Sequence, residues 1–241
     1  MKVKKNLYCC IITKRVIKFK NVSKFFGPIK ALDNISFDIE AGEMVFVVGP
    51  SGAGKSTLMK LLYREENNTH GQILINNIDV SSLSNDKVPY LRRRMGIIFQ
   101  DFKLLPNKTI FDNIAYGLRG LGVSEFEIQK RVGGALNLVG LLDRAGAYPD
   151  ELSGGEQQRI GIARAIVQGP PLVIADEPTG NLDPKTSIEI FNLLKSISLR
   201  GTTVLVSTHN HKIVKEFRER VLVLENGKLV NDTILNPSPY A

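Results

Sequence analysis

At 241 residues, with 43% hydrophobic and 23% charged side chains, the chain has enough apolar material for a well-buried core and excludes a disordered or fibrous class. No apolar run approaches the roughly 18 residues of a membrane-spanning helix, so work at a membrane would require something else to hold the chain there. A net charge of +8 suits anionic lipid headgroups and nucleic acid equally and selects neither.

Residues 1–15 carry Lys2, Lys4, Lys5, Lys14 and Arg15 and are expected to form a basic flexible extension, with a membrane-touching arm at residues 7–12 as the sharper reading. The segment LYCCII is too short for a secretory signal and lacks a small-residue cleavage site. Cys9 and Cys10 are neighbours, which offers neither a disulfide framework nor a zinc-ligand spacing and suits a reducing cytoplasm.

Alternating apolar and charged residues at 16–19 and 35–39 predict two half-buried antiparallel strands. The apolar run 44–48 predicts a buried strand, and residues from Lys55 onward predict a helix. Spanning this junction, Gly49, Pro50, Ser51, Gly52, Ala53, Gly54, Lys55, Ser56 and Thr57 fit the P-loop pattern in the strand-to-helix setting that gives it meaning. Glycines at 49, 52 and 54 let the backbone aim its N–H groups at phosphate oxygens, and the helix N-terminus adds a favourable dipole. Lys55 is expected to neutralise the β- and γ-phosphates of ATP, and the Ser56 hydroxyl to ligate Mg2+.

Residues 72–75 predict another strand, with turn residues Asn76 and Asn77 after it. The segment VPYLRRRMGIIFQ, 88–100, reads as a Pro-led basic stretch containing Arg92, Arg93 and Arg94, then a brief strand at 97–99 that stops at Gln100. Residues from about 110 to 145 are helical in pattern and predict an inserted helical subdomain, bounded at about 101–155. Gly133 and Gly134 lie inside it. Each costs about 1 kcal/mol relative to Ala, which predicts a soft or locally broken helix. The strand at 171–175 ends in Asp176 and Glu177, and the strand at 203–206 ends in Ser207, Thr208 and His209. Asn226-Gly227 between the apolar runs 221–224 and 228–230 predicts a hairpin. Residues 233–241 read as a loose tail.

Three apolar runs thus end in polar chemistry, and ligands of open parallel sheets bind beyond such ends. Hydrolysing a γ-phosphate requires Mg2+, positive charge and a group that activates water. Asp176 is expected to hold Mg2+ through its water shell, Glu177 to act as general base, and His209 to contact the γ-phosphate or orient the water. Gln100, at a strand end, is a candidate ligand of Mg2+ and water that would also couple the site to the helical insertion. His70 and His211 are read as solvated loop residues.

The segment LSGGEQ, 152–157, is locally a capping box, with Ser153 at the N-cap and Glu156 three residues on. With the P-loop, it resembles the ABC-type ATPase subunits, in which LSGGEQ is the signature motif, and the resemblance runs from Val16 to about Asp232. It implies an α/β P-loop NTPase (ABC ATPase) core, a small antiparallel β subdomain and the inserted helical subdomain. It also implies that Phe26 stacks on adenine, that Asn181-Leu182-Asp183 forms the D-loop, and that two copies meet head to tail on ATP binding. Ser153, Gly154, Gly155, Glu156 and Gln157 of one copy would then close on the ATP of the other.

Within the family, VPYLRRRMGIIFQD, Tyr63-Arg64-Glu65 and ELSGGEQQRIGIARAI are most similar to the cell-division branch, the FtsE-type ATPases. That resemblance implies a polytopic membrane partner of the FtsX type, contacts with other division proteins and a place on the cytoplasmic face of the cell membrane. A lipoprotein- or drug-exporting ATPase is the alternative. A nucleic-acid ATPase is disfavoured because only one helical subdomain, without sustained heptads, separates the P-loop from the signature, so no nucleic acid is expected.

Overall fold

The computed structural model describes residues 15–234. The predicted extension with Cys9 and Cys10, apart from Arg15, and residues 235–241 of the predicted tail lie outside the described residues; Thr233, read as the start of that tail, instead pairs with Val221 of the neighbouring strand. In chain order, the strands β1 (Arg15–Phe26), β2 (Ile29–Glu40) and β3 (Met44–Val48) lead into the helix α1 (Lys55–Leu62) and the strands β4 (His70–Ile75) and β5 (Ile78–Asp79). The short helix α2 (Val88–Arg92) and β6 (Met95–Ile98) precede three helices, α3 (Ile110–Gly120), α4 (Glu125–Leu138) and α5 (Gly154–Ile166). Then β7 (Leu172–Asp176), α6 (Pro184–Leu199), β8 (Thr203–Ser207), α7 (His211–Phe217), β9 (Arg220–Glu225) and β10 (Lys228–Ile234) complete the order.

Two sheets result. One is four-stranded, in the order β2-β1-β4-β5, and wholly antiparallel, as the alternation at 16–19 and 35–39 predicts. The other is six-stranded, in the order β10-β9-β3-β8-β7-β6. Its strands β9, β3, β8, β7 and β6 run parallel, and β10 closes one edge antiparallel. A parallel strand covered on both faces reads as an unbroken apolar run, which is why residues 44–48 show no alternation although their side chains alternate in space. Val45 and Val47 pack toward α1 and the antiparallel sheet, whereas Met44, Phe46 and Val48 pack toward Phe191 of α6 and Val214 of α7. β7 divides in the same way, with Leu172 and Ile174 on the first side and Val173 and Ala175 on the second.

The helices between β6 and β7 have their own core of Ile110, Ile114 and Leu118 from α3, Ile128, Val132 and Leu136 from α4, Ile160 and Ala163 from α5, and Val167 just after it. The predicted break at Gly133 and Gly134 is absent: α4 is continuous through both. Fully burying an aliphatic side chain contributes about 1.5–3 kcal/mol, so the three large residues of α4 outweigh two glycines at about 1 kcal/mol each. His70 and His211 are exposed as expected but stand at element starts rather than in loops: His70 opens β4, with its ring edge-on to Phe25, and His211 opens α7. The hairpin prediction agrees with the structure: Asn226 and Gly227 have φ of 49° and 75°, the left-handed pair that such a turn demands.

A Cβ built at Gly133 or Gly134 meets nothing within 4 Å, and neither residue has positive φ. Gly133→Ala and Gly134→Ala should therefore each stabilise the fold by about 0.5–1 kcal/mol, read as a higher denaturant midpoint with unchanged slope. A lower midpoint for either would contradict the continuous helix.

Candidate nucleotide site

The loop between β3 and α1 keeps its shape because glycine stands where a side chain would collide. A Cβ at Gly49 would sit 2.1 Å from the Leu224 carbonyl oxygen, and one at Gly54 would sit 2.5 Å from that of Ala31. Gly54 is the N-cap of α1, in left-handed conformation, and provides no side-chain cap; the first turn holds no acidic residue. The free N–H groups and the positive end of the helix dipole are thus left for an anion. Lys55 lies buried beside them and donates from Nζ to the carbonyls of Gly49 (2.9 Å) and Pro50 (3.1 Å).

The ends of β7 and β8 lie side by side, with Asp176 in register with Ser207. The Ser207 hydroxyl donates to Asp176 Oδ1 at 2.6 Å and accepts from the Glu177 N–H at 2.9 Å, so one buried side chain holds both acidic residues. Ser56 Oγ donates to the same Asp176 oxygen at 3.3 Å. Glu177 has φ 48°, a left-handed turn that swings its carboxylate away from Asp176. Its Oε1 lies 3.8 Å from Lys55 Nζ, and its Oε2 lies 2.9 Å from His209 Nδ1. Lys55, Glu177 and His209 therefore form one polar row across three strand ends.

These groups open into a cavity of about 420 Å3, whose walls include Ser51, Gly52, Gly54, Ser56, Thr57 and Gln100. Ile29, Lys30 and Ala31 of β2 form its rim. β6 starts two residues earlier than the expected strand 97–99 and ends at Ile98, so the exposed Gln100 follows its end by two residues and lies against Gly180, where a Cβ would come within 2.7 Å of its amide nitrogen. Ala53 departs from a simple contact role, because its side chain is buried in the core while its carbonyl accepts from Gly227 N–H. Phe26 is not part of the cavity wall. It pairs with Ile29 at the hairpin end and carries the Lys24 ammonium 4.4 Å above its ring, so it stands beside the rim.

The signature segment builds a second cavity, of about 550 Å3, between Ser153, Gly154, Gly155 and Glu156 on one side and Asn181, Leu182 and Asp183 on the other. The capping box forms as predicted: Ser153 Oγ accepts from Glu156 N–H, and Glu156 Oε2 accepts from Ser153 N–H at 2.9 Å. The Ser153 hydroxyl bound to it holds the Glu156 carboxyl below its ordinary range. Gln157 turns inward to donate to the Leu152 carbonyl at 3.0 Å. Asp183 caps α6, and bonds from Thr186 and Lys185 hold its carboxyl low.

Ser207 carries a role that the sequence alone leaves unassigned. It reads there only as the residue that ends an apolar run, and its meaning depends on the register of β8 against β7. The arginine run differs as well: Arg92 donates to the carbonyls of Tyr63 (2.8 Å) and Arg64 (3.1 Å), tying α2 to the end of α1, and Arg93 lies over the Tyr90 ring.

The sequence profile of the ABC transporter family matches residues 32–180, which takes in the P-loop, Gln100, the signature, Asp176 and Glu177. The chain belongs to the ABC transporter family. It is 52% identical to the cell division ATP-binding protein FtsE of Bacillus subtilis over 218 residues, 90% of this chain and 96% of that one. It is 46% identical to the FtsE of Escherichia coli K12 over 215 residues, 89% and 97% of the two chains. Among solved structures, a bacterial ABC transporter cassette in dimeric form is 38% identical over 92% of this chain and 99% of that one, with a TM-score of 0.83. The same cassette in a post-hydrolysis dimer bound to ADP and phosphate matches at 37% identity and TM-score 0.82, again over 92% and 99%. This ABC chain is accordingly a nucleotide-binding ATPase with an α/β P-loop core.

Lys55→Met removes the buried cation from the loop without adding volume. It should lower ATP affinity by about two orders of magnitude, the loss expected for one desolvated charge pair. Fluorescent-nucleotide titration measures this, and an affinity within about threefold of the parent would contradict the placement of phosphate at Lys55.

Proposed function

We propose that this chain is the ATP-hydrolysing engine of a membrane-bound cell-division complex. The observation that carries this reading is the 52% identity over 90% of the chain to a cell division ATP-binding protein. The site supports the same chemistry. Glu177 is the general base: its carboxylate is held off Asp176 by a left-handed backbone turn and faces the cavity between Lys55 and His209. Lys55 takes up charge on the transferring phosphate, and His209 orients Glu177 and the attacking water.

The donor set of Ser56 Oγ and Asp176 Oδ1, two hard oxygens 3.3 Å apart at the mouth of the loop, fits Mg2+, which keeps most of its water shell in such sites. Gln100, on the wall of the same cavity as Ser56, is a further candidate ligand, and Mg2+ bound there would neutralise charge on the β- and γ-phosphates.

The two cavities share no lining residue, and this supports a dimer. The P-loop cavity holds the charges for phosphate and no signature residue; the signature cavity holds the Ser153-capped start of α5 and no P-loop residue. A second copy brought head to tail would bring the two together. The membrane partner is of the FtsX kind, polytopic, with this ATPase at the cytoplasmic face of the membrane. No described helix is long and apolar enough to cross a membrane. Docking falls on the segment after Gln100. Phe102, Leu104 and Leu105 are half-buried there, and Leu104 packs on the helical core, so the surface they present is smaller than an open apolar patch. Asp101, exposed and paired to Lys103 at 2.6 Å, is the better probe.

Glu177→Gln should keep ATP binding while turnover falls by about two orders of magnitude, as loss of a general base implies. The same variant should sediment as a dimer with ATP and Mg2+ and as a monomer with ADP. Near-normal turnover would remove the base assignment, and one unchanged species in both nucleotides would remove the dimer. Asp101→Lys should leave the ATPase activity of the isolated chain intact while recruitment to membranes containing the partner drops; unchanged recruitment would exclude docking at this segment.

A further inference from the structure

The signature helix α5 does more than present Ser153. Arg164, near its far end, sends both terminal nitrogens to the strap that follows Gln100: Nη1 donates to the Lys103 carbonyl at 2.6 Å and Nη2 to the Phe102 carbonyl at 2.7 Å. Phe102 and Lys103 have φ of 57° and 50°, two consecutive left-handed residues that are not glycine. Such backbone persists only where its surroundings hold it. Burial pulls the Arg164 guanidinium below its ordinary value, and among the described residues it has no carboxylate partner, so its charge is directed at two backbone carbonyls. A rigid two-pronged donor suits that arrangement, and a lysine would reach only one carbonyl well.

Gln158 acts six residues earlier on the same helix. It is fully buried, its Nε2 makes a long contact of 3.5 Å to the Phe99 carbonyl, and among the described residues its Oε1 has no partner. A buried amide left half-satisfied costs stability, so packing alone does not account for Gln158 at this position. The strap returns the contact, since the Phe102 ring edge lies 3.8 Å from where a Cβ of the signature residue Gly154 would be. Gln100 thus stands between two anchors on α5, Gln158 holding Phe99 and Arg164 holding Phe102 and Lys103.

We propose that Arg164, assisted by Gln158, is a positioning residue for ATP hydrolysis that locks the strap 99–103 to the signature helix, so that Gln100 and Ser153 move as one body. A nucleotide that draws Gln100 toward the P-loop then reorients the chain's own signature face, which serves the opposite ATP. The inference rests on the dimeric ATPase reading above.

The test compares Arg164→Met, Arg164→Lys and Gln100→Ala, alone and combined, in the full chain. Arg164→Met should leave ATP affinity of the monomer within about twofold and lower kcat about tenfold, with Arg164→Lys recovering part of the loss. In a Gln100→Ala background the further loss from Arg164→Met should shrink to less than about twofold, because both act through one strap. A folded Arg164→Met protein with parental kcat would overturn the proposal, as would losses that multiply in full. Should Arg164→Met fail to fold, Gln158→Met decides: it deletes the unpartnered oxygen with the donor, so the melting temperature should hold or rise while kcat falls about threefold. Parental kcat in that variant likewise overturns the lock. Parent and Glu177→Gln controls separate this outcome from failure of the ATPase reading itself, in which the parent would show no turnover that Glu177→Gln abolishes.

Discussion

The structure depends on three parallel strands that end at one level. β3, β8 and β7 are neighbours in the sheet, paired so that Val47 faces Ser207 and Ser207 faces Asp176. Shifting any of them by one residue would exchange its two faces between the cores on either side of the sheet, so burial fixes the register. Once it is fixed, the P-loop, the two carboxylates and His209 have no freedom to diverge. The electrostatics of Lys55, Glu177 and His209 follow from apolar packing that none of them takes part in.

Much of this is legible in the sequence because the P-loop, LSGGEQ and the Asp176-Glu177 pair each combine a residue type with a position at an element boundary. The buried strand 44–48, the hairpin at Asn226-Gly227 and the capping box at Ser153 could be read because each is determined within a few residues. Contacts that cross between elements could not. Ser207 acquires its role only through the register of β8 on β7, and Arg164 only because Phe102 and Lys103 turn their carbonyls toward α5. The continuous α4 illustrates the same limit, since local propensity predicted a break that burial of Ile128, Val132 and Leu136 overrides.

The two cavities give the fold its functional logic. One face of the chain gathers charge around the P-loop and the other offers the N-terminus of α5, a helix whose first turn is capped by its own Ser153–Glu156 pair. The helical core ties α5 to α3 and α4, while Ile162 reaches the core beneath the main sheet, so α5 bridges the two bodies. Motion of the strap after Gln100 therefore has a direct mechanical path to the signature face, and the segment that would meet a membrane partner lies along it.

The claim that one copy's signature completes the other copy's P-loop is tested most directly by mixing two inactive variants, Lys55→Met and Ser153→Arg. Each homodimer has two defective composite sites. A mixed dimer has one intact site, built from the P-loop of the Ser153→Arg chain and the signature of the Lys55→Met chain. The account predicts that mixing restores ATPase activity to about a quarter of the parental rate, for random pairing of copies across a twofold interface. Activity no greater than the sum of the separate variants would contradict it.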